Sequence, residues 1–308
     1  MSATCLRIGV PELLIARLIA EPSHLERGLD ALMAALAGSG APVAHAAMLD
    51  FCGDVLQIES PGDDLAAIRA AIEAHFGPSD AIIARDAIRI PDVFVSDMDS
   101  TMIGQECIDE LADYAGIKPQ IAEITERAMQ GELDFASALR ERVALLAGLD
   151  EGAVATCLAE RIRPTEGARV LVQTLKARGC RTVLVTGGFH HFADAVSEQL
   201  GFDDVAANRL EVSGGKLTGG LLGPITDSAT KRAVLEEEIE QRGANAVSMA
   251  AGDGANDIPM LEAATYGIAY RAKPKPRAAA NGWVDRGDLS SILSLLDIPQ
   301  KDWVLGNG

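Results

Sequence analysis

The sequence predicts an α/β protein in two parts: a small module of strands and helices over residues 1–90, then a parallel sheet wrapped by helices over 91–308. Three observations predict this. The first ninety residues carry four β-like runs interleaved with two amphipathic helical patterns. The stretch from Met102 to Pro164 reads as helix almost throughout. Beyond it, strand and helix patterns alternate, which is how parallel strands joined by crossover helices are written in a sequence.

In the first part, E-L-L-I-A-R-L-I-A reads as a strand and L-E-R-G-L-D-A-L-M-A-A-L-A as a helix. V-A-H-A-A-M-L-D-F and D-V-L-Q-I read as two strands around Gly53, D-D-L-A-A-I-R-A-A-I-E-A-H-F as an amphipathic helix, and D-A-I-I-A-R-D-A-I as a last strand. The order β-α-β-β-α-β is ferredoxin-like, and the module resembles the ACT modules carried by many amino-acid enzymes. That resemblance leaves two expectations open, a regulator site in the module or a packing role that joins two copies as a homodimer. Pro91 marks the boundary. V-F-V-S is then a short buried strand, followed by four helical patterns, each ending near a glycine or at the turn before Pro164. From Glu166 the pattern continues as helix, strand T-V-L-V-T, helix, the hairpin R-L-E-V-S-G-G-K-L-T-G, helix, strand A-V-S-M-A-A, helix, and strand G-I-A-Y.

At 308 residues and 48% apolar composition the chain is long enough for two cored domains. No run approaches the about 18 apolar residues of a membrane helix, and the N-terminus lacks a basic, apolar and cleavable leader, so the expected location is the cytoplasm. The five cysteines, Cys5, Cys52, Cys107, Cys157 and Cys180, include no C-x-x-C pair, and they are expected as core thiols. A net charge of −18 without a basic patch excludes nucleic acid and anionic membrane as expected partners. An anionic substrate then has to be held by a local device, a metal ion or a few placed cations.

Ligands of open parallel sheets bind beyond the carboxyl ends of the strands, so the residues ending the apolar runs are informative. Three ends are unusual: V-F-V-S-D-M-D-S-T, T-V-L-V-T-G-G-F and S-M-A-A-G-D-G-A-N-D. Together they place Asp97, Asp99, Asp253 and Asp257 in one crevice. Crowded carboxylates repel and take up protons unless a cation joins them, and Mg²⁺ takes such oxygen ligands together with phosphate oxygens. Thr186, Gly187 and Gly188 offer a hydroxyl and backbone amides at the mouth of a helix, a setting that favours an anion. Lys231 adds a fixed positive charge. Acids on one side and donors on the other describe phosphoryl transfer. Two aspartates two residues apart can divide the work, one attacking phosphorus and the other moving the proton.

D-M-D-S-T, T-G-G-F, Lys231 and G-D-G-A-N-D, in this order, resemble the four motifs of the haloacid dehalogenase superfamily of phosphatases, over residues 91 to about 290. D-M-D-S-T-M-I-G-Q-E, N-R-L-E-V-S-G-G-K-L-T-G and G-D-G-A-N-D-I-P-M-L are similar to the phosphoserine phosphatases within it. The resemblance implies a Rossmann-like core (91–101 and 165–308) with a helical cap (102–164) inserted after its first strand. It implies Asp97 as nucleophile and metal ligand, Asp99 as acid and base with its backbone carbonyl on the metal, and Asp253 as the remaining protein ligand. Thr186, Gly187 and Lys231 would hold the phosphoryl group, supported by Asn256 and Asp257. In the cap, Glu106 would take the substrate ammonium, Arg142 its carboxylate, and Met129 and Phe135 would line the pocket, which suits a zwitterion. The implied cofactor is Mg²⁺, the substrate O-phosphoserine, and the reaction the last step of serine biosynthesis. Thr186 departs from the usual serine of the second motif, keeping the hydroxyl and adding a methyl. His190 and His191 are expected as helix-start surface residues, because oxygen ligands already suit magnesium. The alternatives left open are transfer to an amino alcohol such as homoserine, another small phosphate monoester, or an amino-acid sensor with an inactive phosphatase domain.

Overall fold

The computed structural model of the protein describes residues 13–52 and 54–305, apart from the side chains of His24 and Met129. Expectations resting on Cys5, on the first twelve residues and on Gly53 lie outside the described residues. The four described cysteines are buried and free. No described helix is long and apolar enough to cross a membrane.

The first module runs β1 (Leu13–Ile19), α1 (Leu25–Ser39), β2 (His45–Met48), β3 (Val55–Pro61), α2 (Leu65–Phe76) and β4 (Asp80–Ala84). Its strands lie in the order β2-β3-β1-β4, all antiparallel, so each helix links two strands with a third between them. The two helices pack closely because Gly28 lacks a side chain: a β-carbon there would lie 2.6 Å from Cε1 of Phe76.

The chain then forms β5 (Val93–Ser96) and four successive helices, α3 (Cys107–Tyr114), α4 (Lys118–Met129), α5 (Phe135–Ala144) and α6 (Glu151–Arg161). Asp134 and Asp150 cap α5 and α6 by accepting from the amides of Ser137 and Gly152. The remainder is α7 (Ala168–Ala177), β6 (Arg181–Phe189), α8 (His190–Leu200), β7 (Asp204–Ser213), β8 (Lys216–Leu222), α9 (Ser228–Arg242), β9 (Ser248–Gly252), α10 (Ile258–Ala263), β10 (Tyr266–Tyr270), α11 (Pro274–Ala279), β11 (Gly282–Val284) and α12 (Ser291–Leu295). β11, β10, β9, β5, β6 and β7 pair in parallel, and β8 returns antiparallel on β7.

The sequence reading ends its strands at G-I-A-Y, and the structure adds β11. This short strand joins the two parts. β10 flanks it on one side and β4 pairs antiparallel on the other, giving one sheet of eleven strands. Alternation along the strands then builds two cores, one on each face, and both cores cross the junction. Leu14, Ala16, Leu18, Ala81 and Ile83 join Val93, Val95, Val183 and Val185 on one face, whereas Ile15, Ile19, Ile82 and Ala84 join Phe94 and Leu184 on the other.

Polar side chains secure the same junction. Asp80 is fully buried, and its carboxylate accepts from the amides of Asp285, Arg286 and Gly287 at 2.8 to 3.2 Å. Burial raises its pKa, and those amides work in the opposite direction. Arg17 donates from β1 to the carbonyl of Leu295. Arg69 of α2 donates to the carbonyls of Arg277 and Ala280, and the Arg277 guanidinium lies 3.9 Å over the ring of buried Trp283.

Candidate active site

Three parallel strands, β5, β6 and β9, lie side by side and end at the same edge of the sheet, with β5 in the middle. Their carboxyl ends open into a cavity of about 330 Å³ that residues of the helical insertion, expected as the cap, line from the other side. The core wall carries Asp97, Asp99, Thr186, Gly187, Gly188, Asp253, Asn256 and Lys273, and the cap wall carries Glu106, Ile108, Thr125, Phe135, Leu139 and Arg142.

After β5 the chain stays extended at Asp97 and Asp99 while Met98 is buried in the core, so both carboxylates reach the cavity. Asp97 accepts from the Met98 amide at 2.8 Å, and its own amide donates to the carbonyl of Ala251 on β9 at 2.9 Å. Ser100 then adopts a left-handed conformation, φ 55°, and its hydroxyl donates to Glu106 at 2.8 Å. That turn brings Glu106 from the start of α3 to the crevice.

Behind this surface Lys231, 1% exposed, lies between two acids, 2.7 Å from both Asp97 Oδ1 and Asp257 Oδ1. Burial acts to lower its pKa, but Asp97 and Asp257 outweigh burial, and the ammonium is held charged. Asp257 is fixed further by the Gly254 amide, which donates to its Oδ2 at 2.9 Å. It fills the space over Gly252, where a β-carbon would meet it at 2.4 Å.

Burial and the proximity of Asp257 raise the pKa of Asp97 well above the usual carboxylate range, with Lys231 opposing them. Burial and Glu106 push Asp99 up to about 7. Burial, Asp257 and Glu106 push Asp253 up to about 6, with Lys273 and Lys231 opposing. The site thus concentrates more negative charge than its own cations neutralise.

Asp97, Asp253 and Asp257 each offer a carboxylate oxygen, and these oxygens lie within 4.8 Å of one another. An all-oxygen set of this kind fits a hard divalent cation. Asp257, given a supporting place from the sequence, is part of this side-chain cluster. The Asp99 carboxylate instead turns toward the cap, accepting from the Cys107 amide at 3.4 Å. The metal role expected for Asp99 runs through its backbone carbonyl, which a side-chain cluster does not address.

On β6, the Thr186 hydroxyl accepts from the Gly188 amide at 2.9 Å and remains at the cavity wall. The two glycines permit close approach. A β-carbon on Gly187 would come within 3.0 Å of Phe135, and one on Gly188 within 3.2 Å of Asp99 Oδ2. Phe135 and Arg142, both on α5, line the opposite wall. The Arg142 Nε donates to the Ala138 carbonyl at 3.3 Å, and burial lowers its pKa against the pull of Asp109 and Glu106. The side chain of Met129 lies outside the described residues. His190 pairs with Asp194 at 2.7 Å, and neither His190 nor His191 lines the cavity.

Two contributors escaped the sequence reading. Buried Asn208 donates from Nδ2 to the Gly187 carbonyl at 2.8 Å and accepts at Oδ1 from the Thr226 amide at 2.9 Å. It ties the T-G-G-F end of β6 to the segment leading to Lys231; its only signal was its position opening N-R-L-E-V-S. Lys273 follows β10 by three residues. The rule that strand ends carry the chemistry applied to it as well, but Y-R-A-K-P contains no acid or glycine pair to draw notice.

The haloacid dehalogenase-like hydrolase family matches residues 94–262. The chain is similar to a phosphoserine phosphatase of Streptomyces coelicolor, 46% identical over 209 residues; the match covers 68% of this chain and 51% of that protein. It is 44% identical over 206 residues to a phosphoserine phosphatase of Streptococcus thermophilus, covering 67% of this chain and 95% of that one. Thus the match spans about half of the first relative and nearly all of the second. Among solved structures it is similar to a probable phosphoserine phosphatase of Vibrio cholerae, with TM-score 0.71 and 32% identity, over 94% of this chain and 88% of that one.

Proposed function

The chain belongs to the haloacid dehalogenase-like hydrolase family, and on that premise we propose that it hydrolyses O-phosphoserine to serine and phosphate with Mg²⁺ as cofactor. One observation carries the choice of substrate. The cavity wall facing the aspartates holds one carboxylate, Glu106, and one guanidinium, Arg142, the complement of an α-ammonium and an α-carboxylate. The similar proteins from Streptomyces and Streptococcus, both phosphoserine phosphatases, support the same reading.

In the proposed reaction a carboxylate oxygen of Asp97 forms a bond to phosphorus as the bond from phosphorus to the serine oxygen breaks. Asp99, whose carboxyl is protonated in part near pH 7, gives its proton to that oxygen. Asp99 then takes a proton from the water that attacks the aspartyl-phosphate, which releases phosphate and restores Asp97. Lys231 keeps Asp97 in place through its 2.7 Å contact and opposes the burial that disfavours its ionised form. The Thr186 hydroxyl, oriented by the Gly188 amide, and the Gly187 amide offer donors to the phosphoryl oxygens. Asp97, Asp253 and the Asp99 carbonyl, with Asp257 adjacent, would hold Mg²⁺, which when bound supplies positive charge to the phosphoryl group.

Phosphate release from O-phosphoserine, O-phosphothreonine and sugar phosphates, with Mg²⁺ and with or without homoserine, tests the assignment. O-phosphoserine is expected to be preferred by at least about tenfold in kcat/KM, from the paired cap charges. Equal rates across the panel overturn the substrate, and phosphohomoserine as product replaces hydrolysis by transfer.

The acid cluster also predicts how pH and metal act on stability. Asp99 and Asp253 have folded pKa values above the ordinary 3.8. In the metal-free protein their contribution is therefore fully present below about pH 4 and is lost as pH rises through about 6 to 7. Adding Mg²⁺ is expected to raise the thermal midpoint by several degrees more at pH 8 than at pH 5, and Asp253→Asn to remove most of that gain. An equal gain at both pH values contradicts a carboxylate site for the metal.

A further inference from the structure

The cavity presents four carboxylates, Asp97, Asp99, Glu106 and Asp253, and two cations. Lys231 is not one of those two, because it is buried behind the surface with its charge divided between Asp97 and Asp257. The lining cations are Arg142 on the cap wall and Lys273 on the core wall. A dianionic phosphate approaching such a crevice meets repulsion that must be offset locally, since the whole chain carries −18.

The backbone fixes where Lys273 can act. β9 and β10 are adjacent parallel strands, and the Lys273 amide donates to the Asp253 carbonyl at 3.2 Å, so the lysine stands beside the acid on the neighbouring strand end. Pro274 follows and holds Lys273 extended, at φ −60° and ψ 158°, before α11 begins. The side chain is exposed and forms no ion pair among the described residues.

We propose that Lys273 is a substrate-binding residue, the core-wall cation that draws the phosphoryl dianion into the acidic crevice and holds its outer oxygen. Arg142 and Lys273 then take the two anionic ends of one substrate from opposite walls. The inference rests on the phosphatase reading for its substrate, but it concerns an anion site that can be measured without turnover.

The test uses the full chain with Mg²⁺ and the variants Lys273→Ala, Lys273→Arg and Lys273→Glu. Because the contact to Asp253 is made by the backbone and the side chain is exposed, Lys273→Ala and Lys273→Arg are expected to match the wild type in thermal unfolding. Lys273→Ala is expected to raise KM for O-phosphoserine about tenfold with kcat changed less than about threefold, and to weaken binding of inorganic phosphate by a similar factor in titration calorimetry. Lys273→Arg keeps both near wild type, Lys273→Glu worsens both, and kcat/KM of Lys273→Ala responds less steeply to added salt. If Lys273→Ala leaves KM and phosphate affinity within about twofold of wild type, or Lys273→Arg is as impaired as alanine, the inference is overturned while the phosphatase reading stands. If the wild type releases no phosphate from O-phosphoserine yet Lys273→Ala still weakens phosphate binding, the phosphatase reading fails and the anion site stands.

Discussion

Asp97→Asn is expected to reduce phosphate release from O-phosphoserine by roughly 10⁴-fold or more while leaving the protein folded. The amide nearly matches the carboxylate in shape but cannot bond to phosphorus as an anion. The fold has no need of the charge. Burial and Asp257 already raise the pKa of Asp97 well above the usual range, so ionising it is a cost to the metal-free protein. Lys231 retains Asp257 at 2.7 Å in the variant. Thermal unfolding without metal should therefore give a midpoint equal to or above that of the wild type. Residual activity within about tenfold of wild type removes Asp97 as nucleophile, and a lower midpoint removes the account of its charge.

Lys231→Met has the opposite profile, with the loss falling on stability as well as rate. The ammonium is the cation in contact with two buried acids, and removing it leaves Asp97 and Asp257 facing each other without compensation. Breaking a buried ion pair by deleting one partner costs about 3–5 kcal/mol. In a chain of this size that is a fall of about 5–8 °C in thermal midpoint. The double variant Asp97→Asn/Lys231→Met should recover part of the lost stability and none of the activity, because the two changes share one contact. Circular dichroism melts of the two single variants and the double variant measure this coupling. Strict additivity would mean that the lysine and Asp97 do not depend on each other.

The pair also shows how far a sequence reading reaches. Asp97 was legible because it ends a short apolar run and is followed two residues later by a second aspartate, a local pattern that strand geometry converts into shared orientation. Lys231 was legible only through the order of motifs. Nothing within T-D-S-A-T-K indicates that its side chain is buried between acids from two other elements. Asp257 is similar: G-D-G-A-N-D announces acids, but which of them join Asp97 depends on how the turn after β9 folds over Gly252. Lys273 and Asn208 were passed over because a lone lysine just past a strand, or a lone asparagine within one, has no pattern of its own.

What the sequence alone determined is local. Periods of two and near 3.6 set the strands and helices from β1 to β10, the helical insertion after β5, and the positions of Asp97 and Asp253 just past strand ends, because each depends on neighbours within a few residues; β6, expected to end at Thr186, runs on to Phe189. The tertiary structure decided what depends on distant partners. β11 has three residues, too few to show a period, yet it pairs with β4 across some two hundred residues and makes one sheet of two sequence regions. The same holds for the crevice, where the charge balance that selects a cation and an anionic substrate exists only once four strand ends and α5 face one another.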